Sequence, residues 1–372
     1  MIYLDYNAST PVDLAVREAM LPYLSEFYGN PSSSHAIGQA VKRAVDKARG
    51  QVAAMLGADA EEIVFTSGGT EANNYVIKGV AHALKNRGRH IITSTIEHPA
   101  VINPCRFLEA NGCEVTYVAV DSTGRIDPQA VIEEVRPDTI LISIMHANNE
   151  VGTIQPIEEI AEAAREGGVL MHTDAAQSCG KINTHVERLG VDFLSVAGHK
   201  VYAPQGIGAL YIRRGVEMES LHHGAGHERG RRAGTEPVPA IVGLGAAADL
   251  AVRHVNDPRI KALRDRLWDG LKRTFGDAVV LLGHPEDRLP NTLAVGFRGR
   301  TGGDILAHCP DICASTGAAC HSGERKRSAV LEAMDVPEDV AFGAIRFSVG
   351  RFTTETEIDQ ALQQVIKLKV ES

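Results

Sequence analysis

The chain has 372 residues, 44% of them hydrophobic and 23% charged, with a formal net charge of −9. That length suits about two or three domains, or one large domain with a smaller companion, and it can bury a core without disulfides or a structural metal. The composition excludes a disordered chain, and the acidic balance excludes a nucleic-acid partner held by bulk positive charge. No apolar stretch is long enough to span a bilayer. The start of the chain, Met1-Ile-Tyr-Leu-Asp-Tyr6, has neither a basic nor an apolar signal segment, so a cytoplasmic protein is expected. Six cysteines are too sparse for a disulfide scaffold, which makes reduced thiols the default.

Regular patterning starts near Ser34. Ala36, Ala40, Ala44, Ala48 and Val52 recur four apart with Ile37, Val41 and Val45 beside them, which predicts one apolar helical face over residues 35–56. A short apolar run, Glu62-Ile-Val-Phe-Thr66, then a glycine pair, then a helical pattern from Thr70 to about Asn86 follow. Six more short apolar runs occupy residues 90–93, 115–120, 140–145, 169–172, 191–196 and 208–212, with helical patterns around 98–110, 127–135 and 156–166. Strands alternating with helices predict a seven-stranded, mostly parallel α/β sheet covered on both faces. Ligands of such sheets bind beyond the carboxyl ends of the strands. A helix is expected from about Pro239 to Val255, broken at Asn256-Asp-Pro258. The pattern then becomes helix to about Phe275, strands near 278–282 and 291–297, a Gly/Ala/Cys-rich segment at 309–323, the run Ala344-Ile-Arg-Phe-Ser348 and a C-terminal helix. This predicts a large domain over 14–256 and a smaller α+β domain made of 1–13 and 257–372.

Three segments carry chemistry. In Thr66-Ser-Gly-Gly-Thr-Glu-Ala-Asn-Asn74 a strand ends, two glycines permit close backbone approach, and Thr70 opens a helix. That arrangement suits a phosphate on helix N-terminal amides, and equally an ordinary strand–turn–helix with a Thr N-cap. His172-Thr-Asp-Ala-Ala-Gln177 places Asp174 at a strand end, where a carboxylate either receives a cationic ring nitrogen or caps a helix. Ser195-Val-Ala-Gly-His-Lys200 places a lysine at the next strand end. In a partly desolvated pocket its amine becomes a Schiff-base nucleophile; the alternative is a surface lysine in a loop. Phosphate cradle, ring-nitrogen carboxylate and amine nucleophile are together the requirements of pyridoxal phosphate.

With these segments in view, the sequence resembles the cysteine desulfurases and selenocysteine lyases, a branch of the class V aminotransferases within fold-type I pyridoxal-phosphate enzymes. The resemblance runs in order through Tyr3-Leu-Asp-Tyr-Asn-Ala8, Gly29-Asn-Pro-Ser-Ser33, Thr66–Asn73, Glu97-His-Pro-Ala100, His146-Ala-Asn-Asn-Glu150, His172–Gln177 and Gly198-His-Lys200. It continues through Gly226-His-Glu-Arg229 with Ala233-Gly-Thr235, Thr316–Ser322 and Arg346-Phe-Ser-Val-Gly-Arg351. It implies that Lys200 bonds the cofactor and later shuttles a proton, that Asp174 partners the pyridinium nitrogen, and that His98 stacks on the ring and assists proton transfer. It implies that Gln177 and Asn149 contact the ring hydroxyl, with Asn149 also near the substrate carboxylate. On the same resemblance, Gly69, Thr70 and His199 would hold the phosphate, and Arg346 would grip the substrate carboxylate, with Arg351 as a competing candidate. Thr235 would reach the phosphate of a neighbouring subunit, which implies a homodimer. Cys320, in the small-residue segment Ala314–Gly323 beside His321 and Glu324-Arg-Lys-Arg327, would be the thiolate that takes sulfur from L-cysteine as a persulfide. Alanine would be released, and the sulfur would pass to an acceptor such as an iron–sulfur scaffold protein or one of another thio-cofactor pathway.

The pattern departs from the family in three places. Ala197 stands where a hydroxyl residue often contacts phosphate, leaving only its backbone for cofactor binding. Gly224-Ala225-Gly226 replaces three glycines, and Cys-His-Ser follows Gly-Ala-Ala as in selenocysteine lyases. The stretch from Cys320 to Arg346 has the length of the long-loop desulfurases. Two alternatives follow, a selenocysteine lyase and a non-catalytic sulfur-relay scaffold. Cys105, Cys113 and Cys179 are expected to be buried apolar residues. The spacing of Cys309, Cys313 and Cys320 matches no zinc pattern, and His222, His223 and His227 fall in the family's cofactor loop, so no metal site is expected.

Overall fold

Alternation within each short strand decides the architecture. In a computed structural model of the chain, Ile91 and Ile92, Leu141 and Ile142, and Phe193 and Leu194 point to opposite faces of one sheet and join two different buried clusters. That is the period-two rule of a strand buried on both sides. The structure describes residues 1–321 and 324–367, and only the backbone of 318–321 and 324–326.

The sheet has seven strands in the spatial order Ile63–Thr66, Gly208–Ile212, Phe193–Ala197, Leu170–Asp174, Thr139–Ser143, His90–Ser94 and Glu114–Val118. The strands expected from the sequence are present within a few residues. The five from Phe193–Ala197 to Glu114–Val118 pair in parallel, whereas Gly208–Ile212 runs antiparallel to both its neighbours. The link from Ala197 to Gly208 is too short for a helical crossover, so the chain turns back. Lys200 sits in that turn, within the short 3-10 helix Gly198–Lys200.

Helices Ala36–Leu56, Ile157–Glu166 and Val238–Val252 contribute to the cluster on one face, and Gly69–Ala83 and Pro99–Glu109 to the other. Ala36–Leu56 lies against Val238–Val252 at close range, since a Cβ on Gly245 would meet Ala48 Cβ at 2.6 Å. Small residues there let the backbones approach. The second of these helices ends at Val252, three residues before the expected Val255, and Asn256 then takes a positive φ of 56°.

A second, antiparallel sheet has the order Ser315–Thr316, Ala344–Ser348, Thr292–Phe297 and Val279–Leu282. Helices Pro258–Phe275 and Glu355–Lys367 bury their apolar faces on it, and Ile2 and Leu4 join the same cluster. Strand Ile2–Tyr3 pairs with Ile312–Cys313. A further cluster, with Ile96, Met145 and Val151 against Leu282, Leu331 and Ala344, packs the two sheets together. The short helices Leu14–Met20, Gly302–Ala307, Ala329–Ala333 and Glu338–Ala341 were not among the expected elements, because one or two turns carry too little periodicity to register.

Candidate active site

The parallel strands end at a cavity of about 600 Å³, lined by Gly69, Thr70, His98, Asn149, Asp174, Gln177, Ala197, His199, Lys200 and Arg346 among others. Ten expected residues, drawn from well-separated segments, therefore share one space of ligand-binding size.

The turn after Ile63–Thr66 is held open. Gly68 has φ 149°, a conformation that favours glycine. The following helix, Gly69–Ala83, starts with no side-chain cap. Its first amides are therefore free for an anion. The N-cap role expected of Thr70 in the alternative reading does not occur; Thr70 lies inside the helix and is exposed. Glu71 fixes the turn, accepting from Ser67 N at 2.8 Å and from Arg232 Nε at 2.9 Å. Burial works to raise the Glu71 carboxyl, but the bonds from Arg232 and Ser67 outweigh it and hold the pKa below the usual carboxylate range.

Asp174 closes its strand, buried, with Oδ2 accepting from Asn73 Nδ2 at 2.6 Å and Oδ1 from Ala176 N at 2.9 Å. These bonds orient a carboxylate toward the cavity, where it can meet a ring N–H. His98 is the N-cap of Pro99–Glu109, its Nδ1 accepting from Ala100 N at 3.1 Å. The mobile proton is thereby placed on Nε2. Burial, with Lys200 adding to it and Asp174 opposing, lowers the His98 pKa and favours the neutral ring. Burial, with Lys200 and His98 adding to it, also pushes His199 down to about 4 and favours the neutral ring.

Lys200 Nζ donates to the carbonyls of Asn7 at 2.5 Å and Ala8 at 2.7 Å. Burial, reinforced by Arg346, pushes its amine down to about 8. A lysine so placed has a sizeable neutral fraction near neutrality and is a usable nucleophile. Gln177 is buried, its Nε2 donating to Asn7 O at 2.9 Å.

Arg346 donates from Nη1 to Asn149 O at 2.8 Å and from Nη2 to Asp5 Oδ1 at 2.7 Å and Ser315 Oγ at 2.9 Å. Its Nε is buried without a partner among the described residues. The rival Arg351 is engaged elsewhere. Its guanidinium lies 3.8 Å from the Tyr202 ring centroid and 3.2 Å from Asp13, and it does not line the large cavity.

Two expected residues lie apart. Thr235 is exposed and outside the cavity. Cys320 belongs to the strand Ala318–His321, paired antiparallel with Glu324–Arg327 so that Cys320 faces Arg325 in register. Its side chain, like that of His321, lies outside the described residues. The hairpin is rooted where Ser328 N donates to Gly317 O at 2.9 Å and Gly317 N to Ala344 O at 3.0 Å. Of the other cysteines, Cys105 and Cys179 are buried and their thiols pushed up to about 12 by burial, which keeps them protonated. Cys309 is buried too, while Cys113 is partly exposed, against expectation. Among the described residues no group of three or more His, Cys, Asp or Glu could hold a metal ion.

Residues whose part was missed from the sequence are Asn73, partner of Asp174, Asp5, partner of Arg346, and Arg232, which holds Glu71. The donor set fits pyridoxal phosphate: uncapped helix amides for the phosphate, an oriented carboxylate for the ring nitrogen, and a partly neutral amine for the aldehyde.

Comparison with known proteins agrees with this geometry. Residues 2–361 match the family model described as Aminotransferase class-V. Cysteine desulfurase 2 of Trichormus variabilis is 51% identical over 98% of this chain and 92% of its own length. Cysteine desulfurase IscS of Methanosarcina thermophila is 48% identical over 98% and 91%. Among solved structures, a NifS-like protein superposes with a TM-score of 0.93 at 39% identity over 100% of both chains. SspA in complex with cysteine gives 0.84 at 38% identity, over 95% of this chain and 100% of that one.

Proposed function

Because the chain belongs to the class-V aminotransferase family, in its cysteine desulfurase branch, we propose that it converts L-cysteine to L-alanine and passes the sulfur to Cys320 as a persulfide. The observation that carries this reading is the meeting of Lys200, Asp174, the uncapped start of Gly69–Ala83 and Arg346 in one cavity. The enzyme depends on pyridoxal phosphate, which when bound supplies an electron sink for the substrate α-carbon.

Each residue then has a task. Gly69 and Thr70 offer amides to the phosphate, with His199 beside them and Ala197 contributing only its backbone. Asp174 holds the ring nitrogen, His98 covers the ring, and Gln177 and Asn149 serve the ring hydroxyl. Arg346, at the cavity wall, offers its guanidinium to the substrate carboxylate. Lys200 holds the cofactor and then moves the α-proton. The Cys320 thiolate attacks the substrate sulfur; the sulfur–sulfur bond forms as the Cβ–S bond breaks, and its electron pair leaves with the β-carbon. Protonation of that carbon completes alanine.

The protein works as a homodimer in this reading. Exposed Leu14, Leu21, Leu24 and Tyr28 offer apolar surface for a second copy, and exposed Thr235 is free to reach a partner's phosphate. The sulfur acceptor is a protein of iron–sulfur assembly, met in the cytoplasm; no helix among the described residues is long and apolar enough to cross a membrane.

The test is turnover of L-cysteine against L-selenocysteine by the cofactor-loaded protein. Alanine is expected from cysteine. Alanine from selenocysteine alone would favour the lyase reading, and a protein that takes up no pyridoxal phosphate would revive the scaffold.

A further inference from the structure

A second lysine stands behind the cavity. Lys181, four residues after Gln177, donates from Nζ to Gln177 Oε1 at 2.9 Å. With Tyr6, Cys179, Tyr202 and Asn291 it lines a small cavity on the other side of Lys200. Among the described residues it forms no ion pair with a carboxylate, and burial, with Lys200 and Arg346 adding to it, pushes its amine down to about 7. A half-buried amine kept without a carboxylate is costly, and its one side-chain hydrogen bond among the described residues goes to Gln177.

That bond decides which end of the Gln177 amide faces which way. Its Nε2 donates to Asn7 O at 2.9 Å, a backbone carbonyl that also accepts from Lys200 at 2.5 Å. A carbonyl only accepts and Lys181 in its protonated form only donates, so in that form Oε1 lies toward Lys181 and Nε2 toward Asn7. Nε2 carries two N–H groups, and Asn7 O is its one acceptor among the described residues. The second N–H is left for an oxygen in the cavity.

We propose that Lys181 is a positioning residue, which together with the Asn7 carbonyl locks Gln177 so that its N–H, and not its carbonyl oxygen, meets the ring oxygen of the cofactor. This rests on the reading above that Gln177 contacts that oxygen. A donated hydrogen bond favours the ionised ring oxygen; an amide free to turn over would present an acceptor and favour the neutral one. Lys181 thus acts on the electronics of the ring without touching it.

The experiment is the absorbance spectrum of the cofactor-loaded protein at one fixed pH, read as the ratio of the visible band of the ionised ring to the near-ultraviolet band of the neutral ring. Lys181→Met is expected to lower the ratio about tenfold, the size of one lost hydrogen bond to a charged group. Lys181→Ala serves where methionine is not accepted, and Lys181→Arg, which keeps a donor, restores the ratio. Gln177→Glu, which puts an oxygen where the N–H stood, lowers it in the same way. Thermal unfolding of each cofactor-free variant checks that it is folded. A wild-type ratio in folded Lys181→Met or Lys181→Ala, with a shift in Gln177→Glu, overturns the proposal and leaves the Gln177 reading intact. No shift in Gln177→Glu either overturns that reading, and the proposal with it.

Discussion

The two sides of the cavity are built by different means. On the seven-stranded sheet, Asp174 and Lys200 stand at or just past the ends of adjacent parallel strands, and the open turn before Gly69 follows the edge strand of the same sheet. On the antiparallel sheet, Arg346 is held by Asp5, Ser315 and the Asn149 carbonyl, all far from it in sequence. The first side takes its groups from strand ends and from the turns just beyond them. On the second, Arg346 lies within a strand paired on both sides, and its guanidinium is tethered by contacts with distant segments. From this side leads the hairpin that bears Cys320.

Perturbing each side should give different signatures. Lys200→Ala, on the side of the seven-stranded sheet, is expected to reduce alanine formation at least about 1,000-fold, by loss of both the amine and the proton carrier. It should also remove the visible absorbance of the loaded protein, and a spectrum like wild type would dissolve the contrast. Cys320→Ala, on the tethered side, should stop persulfide formation and leave that spectrum intact. Arg346→Leu should lower kcat/KM for cysteine about 10- to 100-fold, the loss of charge-assisted hydrogen bonds to a carboxylate. Steady-state kinetics should place most of it in KM, with pyridoxal phosphate still bound.

A pH experiment sharpens the side of the seven-stranded sheet. The Lys200 amine lies at about 8, below the ordinary lysine value, and only its neutral form attacks an aldehyde. Below that pH the ammonium predominates, so the rate at which cofactor-free protein takes up pyridoxal phosphate should rise about tenfold per pH unit. Above pH 8 it should level off. A rise continuing to pH 10 would show an unperturbed lysine.

The smallest expected effect lies outside the cavity. The buried pair Arg49–Glu228 is bidentate, at 2.6 and 2.8 Å, and Glu228 also accepts from Phe65 N at 2.9 Å. Glu228→Leu leaves a buried guanidinium unpaired and should cost about 3 kcal/mol, a fall in Tm of about 4 °C for a chain of this length. Breaking the exposed Arg266–Asp359 pair should leave Tm almost unchanged. Thermal unfolding of both variants checks the difference.

The contrast also explains what the sequence could tell. Strands such as Leu170–Asp174 and Phe193–Ala197 announce themselves by short apolar runs, and a charged residue at or just beyond the end of such a run is conspicuous; Asp174 and Lys200 were legible for that reason. The reversed direction of Gly208–Ile212 was not, because residue patterning reports burial and is silent on strand direction. Asn73 was hidden because its partner lies 101 residues away, and Asp5 because Arg346 lies 341 residues on. No local signal records such contacts. Arg346 lines the large cavity, whereas Tyr202 and Asp13 hold Arg351 away from it.

The most direct measurement is a single-turnover incubation of the loaded protein with cysteine labelled at sulfur, followed by peptide mapping and quantitation of alanine. The account predicts one labelled sulfur on Cys320 for each alanine formed. Label on another cysteine, or alanine formed with its sulfur free in solution and Cys320 unmodified, would contradict it.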